Sequence, residues 1–158
     1  MKIYELKIYP HPILRKTAAP VAAIDKTTHY LIKSMSRIMH SNKAIGLAAT
    51  QVGVLKRVVV VDTGEGLISM INPEILSGFG KDFLEEGCLS LPDMVVHVGR
   101  MESVFVKYID KNEKEVEREF RGLTARVIQH EVDHLEGILM IDRGILIGKN
   151  KRYEKEGT

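Results

Sequence analysis

Residues 129–137, "QHEVDHLEG", restrict the fold of this chain more than any other stretch. Leu123, Val127, His130 and His134 recur at 3–4 spacing and Gly137 follows, which predicts a helix over about 123–136 closed by a left-handed cap. On that helix the two imidazoles share the stripe that faces the core. Each needs a partner there, because a buried polar group left without one is costly. A single histidine so placed reads most simply as a core side chain bonded to a carbonyl. Two at i and i+4 with Glu131 between them fit ligation of one metal ion, with a proton carrier beside it.

The rest of the chain must then form a core around such a helix. At 158 residues it reads as one domain, with 149–158 a short basic tail. A hydrophobic share of 44% against 28% charged excludes a disordered chain. The opening "MKIYELKIYPHP" has no apolar run of signal-peptide length, and no later run is long enough to cross a bilayer, so a cytoplasmic protein is expected, or one in an organelle with bacterial-type translation. A formal charge of +2 is too small to argue for nucleic acid or an acidic membrane as partner, and neither is expected. One cysteine, Cys88, excludes an internal disulfide and taken alone reads as a small buried hydrophobe.

Along the chain, "YPHPILRKTAAPV" is irregular. Asp25 caps a predicted helix over 26–41 whose Leu31, Met35, Ile38 and Met39 face inward. "RVVVVD" (57–62) reads as a buried strand, and "LISMIN" as a strand that exits at Asn72-Pro73. "SVFVKYID" and "KEVEREF" flank the turn "KNE" as an antiparallel hairpin.

Two histidines need a third ligand. An extended zincin pattern places a histidine at position 140, which is Met140. Thermolysin-like enzymes resemble a pattern with a later glutamate, and Glu154 stands at that distance, but "KNKRYEKEGT" has no apolar stripe to dock a helix. Upstream, Cys88 in "EGCLSLP" offers a soft ligand for zinc or ferrous iron, with a fourth position left open for catalysis. A cysteine nucleophile paired with His130 is the rival chemistry. "KAIGLAATQVGV" (43–54) reads as a small-residue turn in which Gly46 permits close approach and Gln51 offers an amide donor to an oxyanion.

Together these stretches resemble the three signature motifs of the peptide deformylase family, in order. Ala44-Ile-Gly-Leu-Ala-Ala-Thr-Gln51 matches the first with one departure, Ala44 for glycine. Glu86 to Ser90 and Gln129 to Gly137 match the second and third in full, and "YPHPILRKTAAPV" is similar to the family's beginning. Val95 stands where some members carry a substrate-contacting arginine. The resemblance implies an α+β fold with antiparallel β-sheets packed around the helix that carries the histidines, and the elements read above agree with it. It implies hydrolysis of the N-formyl group of N-terminal methionine on nascent chains, releasing formate. Cys88, His130 and His134 would hold one divalent metal, Fe(II) as the family usually uses, with Zn, Ni or Co also suited to the donor set. Glu131 would be the general acid and base. Gln51 and the N–H of Leu89 would stabilise the formyl oxygen, while Ile45, Gly46, Gly87 and Leu89 border the substrate. The partners implied are formylated nascent chains, with a transient ribosome contact left open. The alternatives are a zincin-like metallopeptidase and a non-catalytic metal-binding relative.

Overall fold

A computed structural model describes residues 2–148. The tail 149–158, and Glu154 with it, lies outside the described residues. Among the described residues, eight strands form two antiparallel sheets. The larger contains β1 (Gly46–Ala48), β2 (Val58–Val61), β3 (Ile68–Phe79), β6 (Ser103–Ile109) and β7 (Glu115–Arg121), in the order β1-β2-β3-β6-β7. The smaller contains β4 (Asp82–Cys88), β5 (Leu91–Arg100) and β8 (Gly144–Gly148), in the order β4-β5-β8. The helices are α1 (Lys26–Ser41), α2 (Gly122–Leu135) and the single turn α3 (Met140–Arg143).

Alternation along β2 explains how the larger sheet is covered on both faces. Val59 and Val61 pack with Ala48, Met70 and the α2 residues Ala125, Val127, Ile128 and Leu135. Val58 and Val60 pack with Leu47, Ile71 and the α1 residues Leu31, Ile32, Met35 and Met39. All four valines are fully buried, as expected of a strand with helices on either side. A third cluster joins Leu91, Val96 and Val98 of β5 to Leu14, Leu139 and Met140, seating the smaller sheet on the N-terminal segment and α3.

The helix α1 begins at Asp25, whose carboxylate accepts the N–H of Thr28 at 3.0 Å in a capping box. The hairpin of β6 and β7 pairs Ile109 with Glu115 across a turn in which Glu113 has φ 62°. Two expectations are corrected. Asn72-Pro73 does not end a strand: Asn72 takes φ 53°, the register shifts between Ile71 and Glu74, and β3 continues to Phe79. A bulge absorbs the proline's missing donor while the Asn72 side chain bonds the N–H and carbonyl of Val21. The stretch 43–54 is not a simple turn either, since it holds β1 and a 3-10 turn over Ala49–Val52.

Candidate metal centre and its cavity

On α2, Arg126, Gln129, His130, Glu131, Asp133 and His134 are all buried. So many polar side chains on one buried helix require a network of partners. Leu123 departs from the expected inward stripe: it is 49% exposed and forms part of a cavity wall. Gly137 adopts φ 72°, the left-handed cap expected of it.

One donor atom each from Cys88, His130 and His134 lies within 4.8 Å of the others. Tetrahedral coordination with bonds of roughly 2.0–2.3 Å separates ligand atoms by about 3.5 Å, so the three donors fit a common ion with small adjustment. Cys88 Sγ is 3.4 Å from His134 Nε2. His130 Nδ1 is 2.8 Å from Glu86 Oε1. Burial works to raise the Glu86 carboxyl, but His130 and Arg100 outweigh it and bring it down to about 2. An ionised carboxylate can only accept, so Nδ1 carries a proton, and Nε2 is the atom that an ion would take once it displaces any proton there.

Glu86 also receives Arg100 through Nε at 2.6 Å and through a second guanidinium nitrogen at 2.9 Å. Arg100 continues to Asp133 at 2.9 Å, and Asp133 is held from its other side by Arg143. Burial works to neutralise His130, yet Glu131, Cys88 and Glu86 push its pKa well above the ordinary histidine value. Surroundings that favour a proton there favour a cation between the donors.

Glu131 is buried, and burial raises its carboxyl to about 7. Its Oε1 and the Nδ1 of His134 have no hydrogen-bond partner among the described residues. Gly46 makes room for this side chain, because a Cβ there would lie 2.7 Å from Glu131 Oε2. The close approach expected at Gly46 is therefore made at least in part by the protein's own carboxyl. Ala44 has no left-handed strain; the turn before β1 is carried by Lys43 at φ 54°.

Gln51 sits in the 3-10 turn with its Oε1 accepting the Ala48 N–H at 2.9 Å. That bond fixes the amide so that Nε2 points to Ser90 Oγ at 3.1 Å and Cys88 Sγ at 3.6 Å. A cavity of about 420 Å³ is lined by Ile45, Gly46, Gln51, Gly87, Cys88, Leu89, His130 and Glu131, with Leu123 and Val127 adding apolar wall. His134 lies beneath it, almost fully buried. Val95 does not line the cavity; it pairs with Gly148 on β8. Sequence reasoning missed Glu86, Arg100 and Asp133. Glu86 entered the reading only as the first residue of the second motif, and the register shift between Glu86 and Cys88 breaks the alternation that could have paired them. The arginine partners lie too far along the chain for local pattern to reveal them.

The fold and site define an α+β protein with a candidate metal-binding cleft. The family model for polypeptide deformylase matches residues 3–152. The peptide deformylase of Thermodesulfovibrio yellowstonii is 49% identical over 148 residues, covering 90% of each chain. That of Halothermothrix orenii is 48% identical over 151 residues, covering 94% of this chain and 98% of its own. The crystal structure of peptide deformylase from Thermotoga maritima superposes with a TM-score of 0.87 at 42% identity, covering 90% of this chain and 98% of its own. One from Synechococcus elongatus, in complex with actinonin, gives 0.86 at 37% identity over 97% of this chain and 82% of its own. The chain belongs to the polypeptide deformylase family, a family of enzymes.

Proposed function

We propose that this protein removes the N-formyl group from the N-terminal methionine of nascent chains and releases formate, working in the cytoplasm or an equivalent bacterial-type compartment as one catalytic domain. The observation that carries the reading is the convergence of Cys88, His130 and His134 beside the buried Glu131 at the base of the cavity. Those three residues would hold one divalent ion, with Fe(II) the expected native metal. When bound, such an ion supplies a Lewis acid that lowers the pKa of water towards ~7.

Glu131, held near pH 7 by burial, takes a proton from the attacking water and returns it to the departing amine as the C–N bond breaks. Gln51 Nε2, fixed by its bond to Ala48, and the Leu89 N–H donate to the formyl oxygen as it gains charge. Leu123, Val127, Ile45 and Leu89 give the methionine side chain an apolar wall. Among the described residues β1 pairs only with β2, and although Gln51 takes the Ala48 N–H, the outer edge at Gly46 is left for the peptide backbone, with Gly87 lining the same cavity. Glu86 and Arg100 orient His130.

A formyl-methionyl peptide and its acetylated twin test the proposal. Formate release from the first, with the second untouched, is expected. Cleavage within either peptide would instead indicate a metallopeptidase, and no reaction with either a binding protein.

A further inference from the structure

We propose that Arg126 is a positioning residue for the candidate metal centre, locking the strand that delivers Cys88 onto the helix that delivers the two histidines. The inference rests on reading Cys88, His130 and His134 as ligands. His130 and His134 belong to α2, which packs on the larger sheet, whereas Cys88 ends β4 of the smaller one. Among the described residues the two sheets share no strand. The ligand triangle therefore depends on how the β4–β5 hairpin sits against α2, and apolar contact alone is non-directional.

Arg126 supplies direction. It lies one helical turn before His130 and is 4% exposed. One terminal nitrogen donates to Glu86 Oε2 at 2.6 Å and to the carbonyl of Val98 at 3.0 Å. The other donates to the carbonyl of Asp82 at 2.5 Å. Asp82 and Glu86 are on β4 and Val98 is on β5, where it pairs with Leu84. A planar fork rooted in α2 thus grips the hairpin at three points, the nearest being two residues from Cys88. A lysine carries one ammonium and no such fork, so it could keep the carboxylate contact but not the whole set. Glu86 retains Arg100 when Arg126 is lost, so an apolar replacement leaves no carboxylate orphaned. Stability and ligand geometry can therefore be separated experimentally.

The test uses the cobalt(II)-loaded full chain as wild type, Arg126→Met and Arg126→Lys. Three readouts are taken: circular dichroism for folding, the visible d–d and thiolate charge-transfer bands, and the rate of cobalt loss to a chelator. The methionine variant is expected to fold, show shifted bands and lose metal about 10- to 100-fold faster, with the lysine variant between it and wild type. Folded variants with wild-type bands and release rates within about twofold would overturn the proposal. If only the lysine variant folds, it decides on the same criteria, and failure of both to fold overturns positioning in favour of a folding role. A wild type that takes up no cobalt overturns the ligand reading and this inference with it, an outcome distinct from equal behaviour of all three loaded proteins.

Discussion

Gly46 shows how much a single missing methyl can decide. Its φ is unexceptional, so what it provides is space: a Cβ would sit 2.5 Å from Val127 Cγ1 and 2.7 Å from Glu131 Oε2. Gly46→Ala is expected to displace the Glu131 carboxyl and lower kcat/KM by at least ~10-fold, mostly in kcat, at unchanged metal content. Steady-state kinetics beside elemental analysis check this, and wild-type kcat would mean that the carboxyl is not confined. Ala44, the departure from the family's first motif, imposes no comparable problem, because Lys43 carries the left-handed turn. At this scale the two histidines were legible by residue type and spacing and Cys88 through its place in the second motif, and their three donor atoms do lie together. The residues that orient them were not. Glu86, Arg100 and Asp133 are charged residues of a kind usually found on the surface, and only the fold brings them together inside.

At the scale of elements, the end of α2 controls the site. Gly137 closes the helix three residues after His134, at φ 72°, and a Cβ there would lie 2.5 Å from the carbonyl oxygen of Arg15. Gly137→Ala combines left-handed strain with a backbone clash and is expected to destabilise the protein by more than about 1 kcal/mol, read as a lower Tm. An unchanged Tm would show that the Arg15 segment yields freely. Helices were the most legible elements because their signals are local: Asp25 caps Lys26–Ser41 through Thr28, and Gly137 terminates α2. Strand limits depend on partners. Asn72-Pro73 carries a stop signal that pairing with β2 on one side and β6 on the other overrides through a bulge. The sequence around Cys88 shows no clean alternation, so the β4–β5 hairpin emerges only from its pairing.

For the whole molecule, the candidate metal centre would tie Cys88 of the smaller sheet to α2 on the larger one, in addition to the short chain connections from β3 to β4 and from β5 to β6. Removing a metal held by Cys88 from one sheet and by the α2 histidines from the other should lower stability. Linkage gives on the order of 3 kcal/mol at a hundredfold excess of free metal over Kd. Calorimetry with and without chelator is expected to show a Tm several degrees lower in the metal-free protein. Equal values would mean that the ion, if bound, contributes nothing to the union of the sheets. No helix among the described residues is long and apolar enough to cross a membrane. Glu131 stands at the centre of that arrangement, buried, raised to about 7 and beside the three donors. The most direct measurement is formate release from a formyl-methionyl peptide by Glu131→Gln, prepared without oxygen and with its metal content determined. A protein holding about one equivalent of metal and losing at least ~10²-fold in rate is the predicted result. Near-wild-type release at full metal content would contradict the account, because the proton would then be moving without this carboxyl.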